Sequence, residues 1–196
     1  MERPELPDFI RANYETHEWR HACAILRNDF RVEYEDLIDV LTRFRLRKSH
    51  VIVGGGRKSE VAGWIDSELT AKGWAEKRFQ TSIKVDEDIT ESPTHSVDCF
   101  RNRVALEIEW NNKDPFFDRD LNNFRLLFDL RAVSVGVIIT RCDELQDIFD
   151  GLGRGKSYGS STTHMSKLLP RVQGGGGGGC PLLVFGIRRS LYVEDV

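Results

Sequence analysis

Cysteine is scarce in this chain and is not arranged for a framework. Four cysteines serve 196 residues, and Cys23, Cys99, Cys142 and Cys180 form no CxxC pair. That spacing argues against a disulfide scaffold or a structural zinc site and fits a reducing compartment. Long apolar runs are also missing, so no membrane span and no membrane partner are expected. Met1-Glu2-Arg3-Pro4-Glu5 has no apolar core of the signal-peptide kind, and a cytoplasmic location is expected. Neither an internal repeat nor a linker interrupts the chain. A single domain over residues 1–196 is therefore expected, with a helical N-terminal part over about 7–47 and a core over about 50–192.

Acidic residues are absent from two stretches, although the chain as a whole has a net charge of −3. Residues 151–192 contain Arg154, Lys156, Lys167, Arg171, Arg188 and Arg189 but no carboxylate. Residues 41–58 contain Arg43, Arg45, Arg47, Lys48, Arg57 and Lys58, again with none. Segregation of this kind can create a positive surface on an acidic protein, although a solvated face on each segment would look the same.

What is present is an ordered run of strand and helix signals. Trp19, Ala22, Cys23, Leu26 and Phe30 follow helical spacing, as do Tyr34, Leu37, Ile38 and Leu41. A strand-like Val51-Ile52-Val53 leads into three glycines and a helix over about 58–73. An extended segment is expected near 79–85, a helix over about 118–130, and a buried strand over 132–140. A further buried strand is expected over 182–187, with residues 174–179, all glycine, as a flexible loop before it. The strand–helix–strand order over 103–140 implies a crossover with a parallel pair. The fold class is α/β.

Three carboxylates stand out against this apolar background. From Arg103 onward, Val104, Leu106, Ile108 and Trp110 point to one side of a strand, and Arg103, Ala105, Glu107 and Glu109 to the other. A hairpin turn at Arg101-Asn102 pairs Phe100 with Arg103 and Asp98 with Ala105. Asp98 then lies diagonal to Glu107 on one face, about 7–8 Å away. Like charges held together resist joint ionisation, and a divalent cation with hard oxygen ligands, such as Mg²⁺, removes that penalty.

Other motifs are weaker. His17-Glu18-Trp19-Arg20-His21 matches the H-E-x-x-H pattern of zinc peptidases. On a helix, however, His17 and His21 would face about 140° or more away from the Trp19, Cys23, Leu26 stripe. Ala24 and Arg27 occupy the places of the extended motif's glycine and third histidine. A zinc metallopeptidase is kept as an alternative. Residues 54–59 resemble a phosphate loop only superficially, since Val51 stands where the first glycine belongs, but Lys58 could still meet a phosphate. Glu60 is a possible accessory acid. The polar, acid-free segment containing Lys156, Ser157, Tyr158, Ser161, Thr162, Thr163 and His164 is suited to contacts with double-stranded DNA.

Asp98, Glu107 and Glu109 on a hairpin, followed by a helix and a buried strand, resemble the PD-(D/E)XK nuclease core, a central mixed β-sheet flanked by helices. More narrowly, residues 97–109 and 133–139 resemble the BglII/BstYI group of type II restriction endonucleases. Residues 71–76 and 181–187 add to the likeness. The resemblance implies a homodimer that cuts both strands of a short palindromic DNA site with Mg²⁺, for which Mn²⁺ can substitute. It implies a companion DNA methyltransferase in the host. Asp98 and Glu107 would hold the metal, with the Ile108 carbonyl as a further ligand. Glu109 stands where the commonest pattern has lysine, and Val97 stands where it has proline. Whether Glu109 orients or deprotonates water, directly or through a second metal, is left open. A non-catalytic DNA-binding module with the same fold is a further alternative.

Overall fold

The computed structural model describes residues 5–53 and 59–195. The chain opens with α1 (Asp8–Asn13), β1 (Tyr14–Trp19), α2 (Ala22–Asp29) and α3 (Arg31–Arg43). A short β2 (Leu46–Arg47), α4 (Lys48–Ile52) and α5 (Glu60–Thr70) follow. Next come β3 (Ala75–Lys77), the hairpin of β4 (Gln80–Val85) and β5 (Asp88–Pro93), and a second hairpin of β6 (Val97–Arg101) and β7 (Val104–Ile108). The remainder is α6 (Phe116–Asp129), β8 (Val135–Arg141), α7 (Gln146–Gly151), α8 (Met165–Gln173), β9 (Leu182–Ile187) and β10 (Tyr192–Val193).

Six strands form one mixed sheet in the order β1-β9-β8-β7-β6-β3. Strands β7, β8 and β9 are parallel neighbours, and β1, β6 and β3 join antiparallel. Every residue of β7, β8 and β9 is buried. This is the pattern of strands covered by helices on both faces, and it is why these runs lack polar alternation. One face carries Val104, Leu106, Ile108, Val137, Ile139 and Phe185 against the N-terminal helices and α5. The other carries Ala105, Ile138, Leu182 and Val184 against Phe117, Leu121, Phe124 and Leu127 of α6 and Met165, Leu168 and Val172 of α8. A Cβ on Gly136 would come within 2.8 Å of both Phe124 and Leu182, so α6 packs at backbone distance there.

The N-terminal segment departs from the helical expectation. Tyr14–Trp19 is an edge strand paired with β9, from Tyr14 against Ile187 to Trp19 against Leu182. Arg20 and His21, both at φ 57°, end it and turn the chain into α2. Val51-Ile52 belongs to α4 rather than to a strand. Residues 174–179 form turns packed on α6 rather than a loose loop. Gly178 sits at φ 58°, where an added Cβ would lie 2.6 Å from Arg125. Gly176 to Gly179 serve close approach of protein to protein.

Charged groups tie the second hairpin to the N-terminal helices. Arg101 at the end of β6 donates to Asp36 of α3 at 2.8 Å and lies 3.6 Å from the buried Glu33. Trp74 Nε1 donates to the same Asp36, and Lys72 bridges Asp36 and Asp39. Arg43 completes the group with Asp39 and Glu68.

Candidate active site

Asp98 and Glu107 are closer in register than the sequence implies. The turn is Asn102-Arg103, with φ of 42° and 67°, and not Arg101-Asn102. Positive φ at both central residues is the requirement of the tight hairpin turn whose twist matches the strands. Arg101 therefore pairs with Val104, Phe100 with Ala105 and Cys99 with Leu106. Continued by one step, this register sets Asp98 directly opposite Glu107. The shift moves the pairing by two residues in total, so the facing of every side chain is preserved. The two acids interlock through the backbone. Asp98 Oδ2 accepts the Ile108 amide at 2.9 Å, and Glu107 Oε2 accepts the Asp98 amide at 3.3 Å.

Glu109 continues the line beyond β7, its amide donating to the Ile139 carbonyl of β8. Glu107 and Glu109 are each only 1% exposed. A fourth acid joins them from α6: Asp120, completely buried. Arg119 bridges the last two. Its Nε and Nη2 lie 2.9 and 2.8 Å from Asp120 Oδ1, and Nη2 lies 3.3 Å from Glu109 Oε1. Asn112 Nδ2 holds the other Glu109 oxygen at 2.8 Å. Thr140 Oγ1, level with Glu109 on the adjacent strand, is buried without a hydrogen-bond partner among the described residues.

Electrostatically the site is under-neutralised. Burial, and then the charges of Asp120 and Asp98, push the Glu107 carboxyl well above its usual range. Burial and Asp120 push Glu109 up to about 9, and burial raises Asp120 as well. Among the described residues, Glu107 Oε1 and Asp120 Oδ2 are buried with no hydrogen-bond partner. Buried oxygens of this kind suit a hard divalent cation. Among the described residues, no three such side chains already close around an ion. The Asp98 and Glu107 oxygens bonded to each other's strand account for part of that openness.

Asp120 was missed by the sequence reading, although a signal for it exists. Phe117, Asp120/Leu121, Phe124 and Leu127 share the buried stripe of α6. An acid on an apolar stripe marks a paired or functional group. His95 also borders the site. Its proton affinity is lowered by burial and by Arg119, with Asp120 and Asp98 opposing, and Asn123 holds its carbonyl at 3.1 Å.

The remaining candidates divide. Glu60 is exposed in the first turn of α5, after the Ser59 cap, and its charge acts on His50. Asp120, rather than Glu60, is the acid that joins the cluster. Lys58 lies outside the described residues. Lys156, Ser157 and Ser161 are exposed, as a DNA-contacting segment requires. Tyr158, Thr163 and His164 are buried beneath that exposed surface. Tyr158 stacks on Phe149 with ring centres 4.0 Å apart, and His164 Nδ1 bonds Asp143 at 2.7 Å. Buried Arg141 shapes the segment by donating to the Tyr158 carbonyl and to Thr162 Oγ1. The segment is wired to the carboxylates: the Thr163 amide donates to the carbonyl of Asn112, whose side chain holds Glu109.

His17-Glu18-Trp19-Arg20-His21 lies on β1 and the turn after it, so the helix that a zinc-peptidase motif needs does not form. His17 Nε2 bonds Glu15 at 2.9 Å, and Glu18 accepts the Cys23 amide at the start of α2. The zinc-peptidase alternative is withdrawn on this ground. All four cysteines are buried thiols, with no disulfide among the described residues. Among the described residues, no helix is long and apolar enough to cross a membrane.

The family model described as restriction endonuclease BglII/BglIII matches residues 14–187. No curated protein matches the chain.

Proposed function

The chain belongs to the BglII/BglIII restriction endonuclease family, and from that premise we propose that it hydrolyses both strands of a short palindromic DNA site in a Mg²⁺-dependent reaction. The observation that carries this reading is the buried group of Glu107, Glu109 and Asp120, to which Arg119 is the guanidinium bonded among the described residues. Folding places three carboxylates where their charges are most costly, and a fold has no structural need for that arrangement.

Asp98 and Glu107 would hold Mg²⁺, or Mn²⁺ in its place, with the Ile108 carbonyl beside them. When bound, the cation polarises the scissile phosphate and generates hydroxide near neutral pH. The protein's own groups do the rest. The Asp98–Ile108 bond fixes the two strands so that the metal-binding carboxylates face one another. Glu109, gripped by Arg119 and Asn112, orients the attacking water. Lys156, Ser157, Ser161 and Thr162 lie along the segment that would meet DNA. Their tie through Asn112 gives a physical route from substrate contact to Glu109. The reading includes one domain per chain, a homodimer matching the palindrome's two-fold symmetry, a cytoplasmic location and a companion methyltransferase.

Incubation with several unmethylated plasmid and phage DNAs, with Mg²⁺ or with EDTA, tests the proposal. Discrete, EDTA-sensitive fragments are expected, and Asp98→Ala and Glu107→Ala should abolish cutting while retaining DNA in a gel shift. Intact DNA across all substrates and metals contradicts it. A strong gel shift without cleavage by the wild type would point to a DNA-binding module instead.

A further inference from the structure

We propose that Arg119 is a further catalytic residue, whose guanidinium binds the scissile phosphate and takes the place of the positive charge absent at Glu109. The inference rests on the nuclease reading above. Glu109 occupies the position where the commonest pattern of this nuclease core has lysine, so the strand itself brings no cation to the reacting phosphate. Arg119 delivers one from α6, with Nη2 3.3 Å from Glu109 Oε1.

The geometry is that of a group fixed in advance. Nε and Nη2 form one edge of the guanidinium, and both are anchored on Asp120 Oδ1. The guanidinium carbon lies 4.1 Å from the centre of the Phe116 ring, which limits rotation. Among the described residues, Nη1 has no hydrogen-bond partner. The side chain is 33% exposed, whereas Glu109 and Asp120 are 2% and 0% exposed. The anchored edge therefore faces the buried acids, and the opposite edge is not engaged by them. A planar fork with free donors suits the non-bridging oxygens of a phosphodiester. Donors aimed in advance at developing negative charge stabilise it without reorganising.

Asp120 acts as the positioning residue. It touches no substrate, and its role is to hold the Nε edge so that the free edge points outward. A purely structural ion pair would have no reason to leave one edge open beside the metal-binding acids.

The test uses the full-length protein and single-turnover cleavage of a DNA that the wild type cuts. Arg119→Ala should slow cleavage by about 100-fold, the scale for loss of one transition-state donor. The Mg²⁺ concentration giving half-maximal rate should stay within threefold, and so should DNA affinity measured in Ca²⁺. Millimolar guanidinium should restore part of the lost rate, and it should not do so for Asp98→Ala. Asp120→Asn, which keeps an acceptor for Arg119, should lose less than Arg119→Ala and should gain nothing from guanidinium. Arg119→Lys guards against a variant that fails to fold, since it retains the charge opposite Glu109; it should melt like the wild type and still cut poorly. Cleavage by Arg119→Ala within threefold of the wild type overturns the proposal while leaving the nuclease reading intact. A slow Arg119→Ala that guanidinium does not rescue, or an Arg119→Lys that cuts normally, also overturns it. Absence of cleavage by the wild type overturns both.

Discussion

Two groups of acids sit on either side of the same hairpin, one matched by cations inside the fold and one proposed to be functional. Glu33, Asp36, Asp39 and Glu68 meet Arg43, Lys72 and Arg101. The indole of Trp74 adds a further donor to Asp36. There Asp39 is held below its usual carboxylate range, by Lys72 first and Arg43 next. On the opposite face, Glu109 and Asp120 share the Arg119 guanidinium, and Glu107, Glu109 and Asp120 are all pushed upward by burial. Both groups consist of carboxylates beside the β6–β7 hairpin. In one, cations inside the fold match the acids, so the group ties α3 to the sheet. In the other, part of the required charge must come from outside.

The largest test of this contrast is Glu107→Gln. In the under-neutralised group the neutral isostere should raise cation-free stability at pH 8, because folding no longer has to overcome the burial of that carboxylate. It should also abolish cutting. Asp36→Asn, the matching change in the compensated group, should instead lower stability. Chemical denaturation of both variants in EDTA checks the pair, and a change of the same sign in both would erase the distinction.

The dependence on pH comes next. The functional group has raised carboxylate proton affinities in the folded state, so the folded protein binds protons that the unfolded chain has lost. Stability should therefore fall as pH rises from about 5, above the unfolded carboxylate range, to about 9, the region to which Glu109 is raised. The scale is a few kcal/mol, and Mg²⁺ should flatten the decline. Melting temperatures across this range, with and without Mg²⁺, supply the check. Curves that coincide would show that the cation does not bind these acids.

Smaller effects are expected elsewhere. Arg101→Met should cost about 1–3 kcal/mol, discounted because the Arg101 side chain is 32% exposed. Its cost should be the same with and without Mg²⁺. Lys156→Ala should reduce the salt slope of DNA binding by about 1. Tyr158→Phe should leave that slope unchanged and cost about 1 kcal/mol, through the lost Trp110 Nε1 bond at 3.3 Å.

How far the sequence carried is visible in particular elements. Strands β8 and β9 were legible because burial on both faces leaves unbroken apolar runs. The acidic face of β7 was legible because alternation alone decides facing. Strand β1 was not. Its polar Glu15, His17 and Glu18 are only partly buried at the sheet edge, and Trp19 falls in phase with the helix that follows. The hairpin register was misplaced because Arg103 adopts a positive φ that its side chain does not advertise. Asp120 escaped notice because its meaning depends on which strand α6 covers, and that contact is tertiary. The polar segment around residues 156–164 stands out by composition. Which of its side chains turn inward was decided by Phe149, Asp143 and Arg141, which lie elsewhere in the sequence.

The most direct test of the claim that charge is missing from the Glu107 group is calorimetric titration of Mn²⁺ into the cation-free protein. Saturable binding is expected for the wild type, weakened at least tenfold in Glu107→Gln and unchanged in Asp36→Asn. Equal binding by the wild type and Glu107→Gln would contradict the account.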